Sequence, residues 1–171
     1  VKANAYGHGL LRAARAFDAA DGLAMIDLCD AQKVREQGWK KRILLLEGFF
    51  DATDIPLLEK YDIETIVHNR HMIELLKAQA PYASLKVHIK INSGMNRLGF
   101  LPQEEEEIRA QLQTVEGVQV MGVVTHFANA EPTYGHERPA TVSIQLNRMD
   151  KIQPMPKNLC MANSAATLWQ S

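Results

Sequence analysis

Residues 1–9 read VKANAYGHG and lead directly into an apolar stretch. A β-branched valine and a lysine, followed by small residues and a Gly-x-Gly turn, are typical of a buried strand that ends and opens onto a loop. From Leu10 onward, apolar residues recur at the i, i+3/4, i+7 spacing of an amphipathic helix. The stretch therefore predicts a strand end, a glycine-rich loop and a helix, with Lys2 at the end of the strand.

A lysine in this position is a candidate nucleophile. Burial favours the neutral amine, which is the form that condenses with a carbonyl group to make an imine. The alternative is that Lys2 is a solvated residue near a chain terminus, which is the ordinary state of a lysine. The sequence around Lys2 is needed to distinguish between these two interpretations.

Length and composition exclude several classes of protein. The 171 residues suffice for one domain with a full hydrophobic core. Hydrophobic residues make up 46% and charged residues 23%, which is ordinary for a globular protein. The net charge of -1 argues against nucleic acid or a membrane surface as the partner, because both select for a basic excess. No apolar run approaches the ~20 residues that span a bilayer.

The two cysteines, Cys29 and Cys160, match neither a disulfide framework nor the spacing of a metal site. We therefore predict no metal and a reducing, cytoplasmic location. The sequence shows no signal-peptide pattern and does not begin with methionine. Because it starts inside a predicted strand, we expect it to be a piece of a longer protein.

Strand and helix patterns alternate about seven times, with no long linker between them. Predicted strands cover residues 23–26, 42–46, 64–67, 85–91, 118–124 and 159–161. Asp30 is expected to cap the first intervening helix, and Ile144, Leu146 and Met149 mark a later one. The alternation predicts a parallel sheet with helices outside it, which is compatible with a (β/α)8 barrel and with an open doubly wound sheet. Both folds place their sites just after the strands.

Three further polar segments follow predicted strands. Residues 90–99, KINSGMNRLG, put Arg97 on a glycine-bounded loop, where a planar guanidinium can bind an oxygen ligand. Residues 125–128, THFA, put His126 at a strand end, although a lone histidine is more often structural than catalytic. Residues 162–166, ANSAA, put a hydroxyl and free backbone N–H groups at a helix start, which suits a phosphate.

These four segments resemble the motifs of the alanine racemases, which depend on pyridoxal 5'-phosphate (PLP). The first is identical to the family's VKANAYGHG, in which the lysine carries the cofactor as an internal aldimine. The others resemble K-x-x-[ST]-G-M-x-R-L-G, [ST]-H-[FL]-A and A-N-S-[AG], in the family's order. The resemblance implies a (β/α)8 TIM-type barrel, incomplete at both ends, with residues 1–171 as a single PLP-binding domain.

The resemblance also implies which residues bind the cofactor. Lys2 matches the lysine that is both the catalytic residue and the point of cofactor attachment. Tyr6 and Ser164 match ligands of the cofactor phosphate, with Asn163 supporting the Ser164 loop. His126 matches a histidine beside the pyridine ring.

Three residues of the 90–99 segment match further roles. Arg97 matches the arginine that binds the phenolic oxygen of the cofactor and the substrate carboxylate, and Met95 matches a residue of the substrate pocket. Lys90 matches a lysine that many members carry as a carbamate, whose negative charge orients the arginine. The alternative for Lys90 is a structural lysine paired with an acid.

The implied reaction interconverts L-alanine and D-alanine, supplying D-alanine for peptidoglycan. In the family, two bases on opposite faces of the substrate exchange the Cα proton. One is the cofactor lysine, here Lys2, and the other is a tyrosine from the C-terminal domain of the partner subunit in a homodimer. No segment of this chain matches that domain, so we expect the chain alone to be inactive.

Three other interpretations compete with this one. A racemase of broader amino-acid specificity would share the same motifs. A non-catalytic, single-domain PLP-binding homeostasis protein has the same barrel, although the loops of residues 5–9 and 94–99 favour the racemase. An open-sheet nucleotide-binding module is disfavoured because the sequence contains neither a P-loop nor a G-x-G-x-x-G segment.

Overall fold

The fold is seen in a computed structural model of the chain, which describes residues 1–131, 140–154, 156 and 158–169, the last without its side chain. Six β-strands occur in these residues and pair in chain order. The pairings of β1 with β2, β2 with β3 and β5 with β6 are parallel. The strands are β1 (Gly22–Met25), β2 (Arg42–Leu45), β3 (Glu64–Val67), β4 (Leu85–Lys90), β5 (Val118–Val124) and β6 (Leu159–Cys160).

A helix follows each of these strands. Two more helices, α1 (Lys2–Tyr6) and α2 (Leu10–Ala16), precede β1. In chain order the others are α3 (Leu28–Glu36), α4 (Ile55–Lys60), α5 (Arg70–Gln79), α6 (Glu105–Gln113), α7 (Ala140–Met149) and α8 (Ser164–Trp169), with a 3-10 turn at Pro102–Glu104 before α6. Parallel strands in unbroken chain order, each followed by a helix, are the topology of a (β/α)8 barrel. A doubly wound sheet would reverse its strand order at a switch point, so the barrel prediction, incomplete in this chain, is confirmed.

The chain divides into two compact units. Unit 1 comprises Val1–Ile66, Arg70–Val87 and Val115–Gln119, and unit 2 comprises Val67–Asn69, His88–Thr114 and Val120–Ser171. The assignment of residues 1–171 to one domain stays a prediction. No helix in the described ranges is long and apolar enough to cross a membrane.

Unit 1 has an apolar core built from β1, β2 and β3 and the helices that follow them. Ile43, Leu45, Ile55 and Leu58 are fully buried in it. All four residues of β3 are buried, as expected for a strand covered on both faces. Its one carboxylate, Glu64, accepts two hydrogen bonds from the guanidinium of Arg42, at 2.7 and 2.8 Å, so the buried charge is paired. Pairing of this kind is what allows an acid inside a strand core.

One local prediction about a helix needs correction. Asp27, not Asp30, caps α3, because its side chain accepts a hydrogen bond from the backbone N–H of Asp30 at 3.1 Å. In α7 the buried face consists of Val142, Gln145 and Met149, whereas Ile144 is 50% exposed. The predicted helix is confirmed as α7, and a polar residue, Gln145, occupies a core position in it.

Candidate active site

The α1 segment is a left-handed helical turn. Ala3, Asn4, Ala5 and Tyr6 have φ values of 52°, 53°, 52° and 53°. For residues with a Cβ this conformation costs roughly 1–2 kcal/mol per residue, and it usually occurs at single positions. Lys2 belongs to this turn, so the prediction that it ends a strand is wrong. Val1, the residue before it, still contacts β1, because its N-terminal nitrogen donates to the carbonyl oxygen of Ala24 at 2.7 Å. Such strain, when maintained by its surroundings, is typical of functional sites.

Asn4 holds this turn against the helix that follows. Its side-chain oxygen accepts a hydrogen bond from the backbone N–H of Leu10, the first residue of α2, at 2.8 Å. Its carbonyl oxygen accepts from Gly7 and Gly9 at 3.1 and 3.0 Å. Asn is also one of the few residues other than glycine that tolerates the left-handed region. One residue thus fixes both ends of the loop between Lys2 and α2.

Lys2 and Tyr6 are exposed at the two ends of the turn. The Lys2 amine lies 5.8 Å from the centre of the Tyr6 ring, and Tyr6 is 73% exposed. Lys2 is exposed in this structure, so the expected burial of its amine is not seen. What the turn provides is an amine and a phenolic hydroxyl that are both accessible within unit 1.

In unit 2, four of the predicted site residues line one cavity. Lys90, at the end of β4, and Met95 and Arg97, on the loop after it, meet His126, which follows β5. Polar side chains from the same two loops complete the lining, namely Asn92, Ser93 and Thr125. The carboxyl ends of neighbouring parallel strands converge at one edge of the sheet, which is why motifs 30 residues apart in the sequence come together here.

Lys90 is the buried amine of this site. It is 7% exposed, and burial together with the positive charge of Arg97 lowers the pKa of Lys90 from 10.5 to about 8. No acid among the described residues forms an ion pair with Lys90. The alternative of a structural lysine paired with an acid therefore has no support in this part of the chain. At neutral pH the cavity therefore contains two cations and an imidazole, a set that attracts an anionic group.

The loop that carries Met95 and Arg97 is shaped by Asn92. Its side-chain oxygen accepts hydrogen bonds from the backbone N–H groups of Gly94 and Asn96, at 3.1 and 3.0 Å. Its amide also donates to the side-chain oxygen of Asn96 at 3.1 Å. These bonds fix a tight turn from which the exposed Arg97 side chain extends.

Asn163 and Ser164 lie at the start of α8. The side-chain oxygen of Asn163 accepts from the backbone N–H of Ala166 at 2.9 Å, which caps the helix, and its amide donates to the carbonyl oxygen of Phe127 at 3.2 Å. Ser164 is exposed as the first residue of the helix. Neither residue lines the cavity that contains Arg97.

Sequence reasoning missed three buried polar residues, namely Ser93 and Thr125, which line the cavity, and Gln145, which bonds to Ser93. Ser93 and Thr125 lie inside recognised motifs but were assigned no role. Gln145 lies outside every motif, and only its place in the 3.6-residue period of α7 could have drawn attention to it. No group of three or more His, Cys, Asp or Glu side chains in the described part of the chain is arranged to hold a metal ion.

The chain is similar to proteins of known activity. The family model for the N-terminal domain of alanine racemase matches residues 1–171. The alanine racemase of Janthinobacterium sp. is 45% identical over 169 residues, which cover 98% of this chain and 46% of that protein. The catabolic alanine racemase of Klebsiella aerogenes is 43% identical, with 98% and 46% coverage.

Solved structures agree with the sequence relatives. The biosynthetic alanine racemase of Pseudomonas aeruginosa superposes with a TM-score of 0.90 at 34% identity, covering 99% of this chain and 47% of that one. The alanine racemase of E. faecalis gives a TM-score of 0.86 at 31% identity, covering 99% and 47%. The chain thus spans about half the length of the relatives it matches. Because the family model covers every residue, the chain belongs to the alanine racemase family and corresponds to its N-terminal domain.

Proposed function

We propose that this chain is the cofactor-binding part of a PLP-dependent alanine racemase, which interconverts L-alanine and D-alanine. The observation that carries the proposal is the cavity where Lys90, Arg97 and His126 meet, because two basic side chains and an imidazole favour anionic oxygens of a cofactor or an amino acid. The names of the relatives, biosynthetic and catabolic alanine racemases among them, support alanine as the substrate.

The residues present fit PLP, which offers an aldehyde, a phosphate, a phenolate oxygen and a pyridine ring. Lys2 supplies an exposed primary amine for the aldehyde, and Tyr6 and Ser164 supply exposed hydroxyls for the phosphate. Arg97 supplies a guanidinium for the phenolate oxygen, and His126 an aromatic ring for the pyridine. When bound, PLP supplies an electron sink that makes the Cα proton of an attached amino acid acidic.

Lys2 would then move a proton at Cα. With the amino acid bound, Nζ of Lys2 would remove the Cα proton from D-alanine and would return one when D-alanine is formed. The opposite face needs a second base, which the resemblance assigns to a tyrosine of the partner subunit. Removal from one face and return to the other inverts Cα, so we propose a homodimer as the active form.

Arg97 would orient the substrate by binding its carboxylate, with Met95 at the same pocket. We propose that Lys90 becomes a carbamate: its neutral Nζ attacks the carbon of CO2, an N–C bond forms, and one proton leaves the nitrogen for water. The product is anionic, so it replaces the Lys90–Arg97 repulsion by attraction and fixes the guanidinium.

The cellular setting is also a proposal. Cys29 and Cys160 are free and exposed, which suits the reducing cytoplasm. There the enzyme would supply D-alanine for peptidoglycan.

The test is racemisation by the complete protein that contains this chain. L-alanine should yield D-alanine with added PLP. Lys2→Ala should reduce kcat by at least about 10³-fold because it removes both the attachment point and a base. Lys33→Ala, which removes an exposed lysine of α3, should leave kcat unchanged. The isolated 171-residue chain should be inactive.

Two outcomes would replace this proposal. Comparable kcat/KM for several amino acids would indicate the broad-specificity racemase. Tight PLP binding with no racemisation of any amino acid would indicate the non-catalytic homeostasis protein.

A further inference from the structure

Gln145 occupies a core position of α7 with a polar side chain. It is 2% exposed and lies on the same buried face as Val142 and Met149. An amide there is costly unless every polar atom has a partner. Both polar atoms of the side chain bond to two loops, and both loops carry predicted site residues.

Three hydrogen bonds connect Gln145 to these loops. Its Nε2 donates to the Ser93 hydroxyl at 2.8 Å and to the carbonyl oxygen of His126 at 2.9 Å. Its Oε1 accepts from the backbone N–H of Ala128 at 2.9 Å. A carbonyl can only accept and a backbone N–H can only donate, so the orientation of the amide is fixed by the His126 and Ala128 contacts. The Gln145 side chain therefore forms hydrogen bonds to both loops at the same time.

The network continues from Ser93 toward Lys90. Thr125 donates its hydroxyl proton to the carbonyl oxygen of Ile91 at 2.8 Å. The 2.7 Å contact between the Thr125 and Ser93 hydroxyls must then have Ser93 as the donor, because a hydroxyl has one proton. The hydrogen bonds thus run in one direction: Gln145 donates to Ser93, Ser93 to Thr125, and Thr125 to Ile91, the residue next to Lys90.

A second residue of α7 supports the same loop. Nη1 of Arg148 donates to the carbonyl oxygen of Ser93 at 3.1 Å. A Cβ on Gly94 would lie 2.5 Å from this Nη1, and Gly94 has a φ of 142°, so the close approach depends on glycine. Helix α7 therefore supports the start of the Met95–Arg97 loop through this hydrogen bond.

We propose that Gln145 is a positioning residue that couples the Met95–Arg97 loop to the His126 loop, so that both present their side chains to one cavity. It does not line the cavity, and it acts through Ser93 and the backbone of residues 126 and 128. The effect of Gln145 on catalysis rests on the proposed function, whereas the coupling of the two loops rests only on the hydrogen bonds described above.

The first test is hydrogen–deuterium exchange on the complete protein. Gln145→Leu should raise deuterium uptake in the peptides covering residues 92–98 and 126–130. Gln145→Glu keeps the acceptor for Ala128 but loses the donors to Ser93 and His126, so uptake should rise in 92–98 and should rise less at 126–130 than it does in Gln145→Leu. Met149→Ala is the matched control, because it weakens the packing of α7 without touching the network, and its increase should be confined to 140–149.

The second test is kinetic. At a temperature where all variants are folded, Gln145→Leu should lower kcat/KM for alanine by about 10- to 100-fold, since small displacements of binding groups have effects of this size. KM should rise, because the Arg97 loop is the predicted carboxylate site, whereas Met149→Ala should change kcat/KM by less than about two-fold. Ser93→Ala should lower kcat/KM less in the Gln145→Leu background than in the wild-type protein, because the Gln145–Ser93 bond is already lost there.

Equal exchange patterns in Gln145→Leu and Met149→Ala would overturn the inference, whatever the activity. An inactive wild-type protein with the expected exchange pattern would instead refute the proposed function and leave the coupling intact. Loosened loops in Gln145→Leu with unchanged kcat and KM would restrict Gln145 to a structural role and overturn the positioning assignment.

Discussion

The guanidinium of Arg97 and the amine of Lys90 share one cavity, with the lysine buried and the arginine charge acting on it. Burial is the larger cause and Arg97 the second cause of the lowered pKa of Lys90, about 8. A lysine of this kind is half neutral in mildly alkaline solution, where an ordinary lysine remains charged. Both its effect on stability and its reactivity follow from this relationship.

The stability of the protein should rise with pH because of Lys90. The folded chain loses this proton near pH 8, whereas the unfolded chain keeps it up to about 10.5. Between these values the unfolded state binds more protons, so the free energy of unfolding increases with pH, by up to about 3 kcal/mol over the whole window. Urea unfolding in CO2-free buffer, from about pH 7 to about pH 10, measures the rise.

Two variants isolate the contribution of Lys90. Lys90→Met keeps the volume and should abolish the rise. Lys86→Met, on the same strand but at a lysine paired with Asp62, should retain it. The same slope in wild type and Lys90→Met would show that another group is responsible.

Lys90 should also react with CO2. Only the neutral amine forms a carbamate, and about half of Lys90 is neutral at its pKa, whereas ordinary lysines are almost entirely protonated at that pH. Equilibration with ¹³C-bicarbonate should give a carbamate resonance from Lys90 in the ¹³C NMR spectrum, besides one from any free α-amino terminus, which has a similar pKa. The Lys90 resonance should disappear in Lys90→Ala and persist in Lys86→Ala. Its persistence in Lys90→Ala would assign the modification elsewhere.

Asn4 should contribute to stability through the left-handed turn. Asn4→Ala removes the cap on α2 and places a residue that disfavours positive φ at 53°. We expect a loss of about 1–2 kcal/mol in the free energy of unfolding. Asn4→Asp keeps both the acceptor and the tolerance for this conformation, so it should lose less than about 0.5 kcal/mol. Equal losses of unfolding free energy in Asn4→Ala and Asn4→Asp would mean that neither the side-chain acceptor nor the tolerance for positive φ stabilises the turn.

Much of the fold could be predicted from the sequence because apolar runs and turn residues determine it locally. The runs at 64–67 and 118–124 became β3 and β5 with the predicted bounds. The barrel required more than periodicity, since strand order is a long-range property that alternation leaves open. The turn at 3–6 was missed because its sequence carries no local preference for the left-handed region beyond Asn4.

The site was predicted less evenly. The convergence of Lys90, Arg97 and His126 followed from their positions after neighbouring strands. The exposure of Lys2 was not predictable, because burial depends on what covers a residue. Gln145 was missed because hydrogen-bond networks between a helix and two loops leave no periodic pattern in the sequence.

Attachment of PLP to Lys2 can be measured by incubating the complete protein with PLP, reducing it with borohydride and mapping the peptides by mass spectrometry. We expect one pyridoxyl group per chain, on the peptide containing Lys2, and its loss in Lys2→Arg. The matched variant Lys33→Arg should keep the label. A label on other lysines that persists in Lys2→Arg, or no label at all, would show that Lys2 is not the attachment point of PLP.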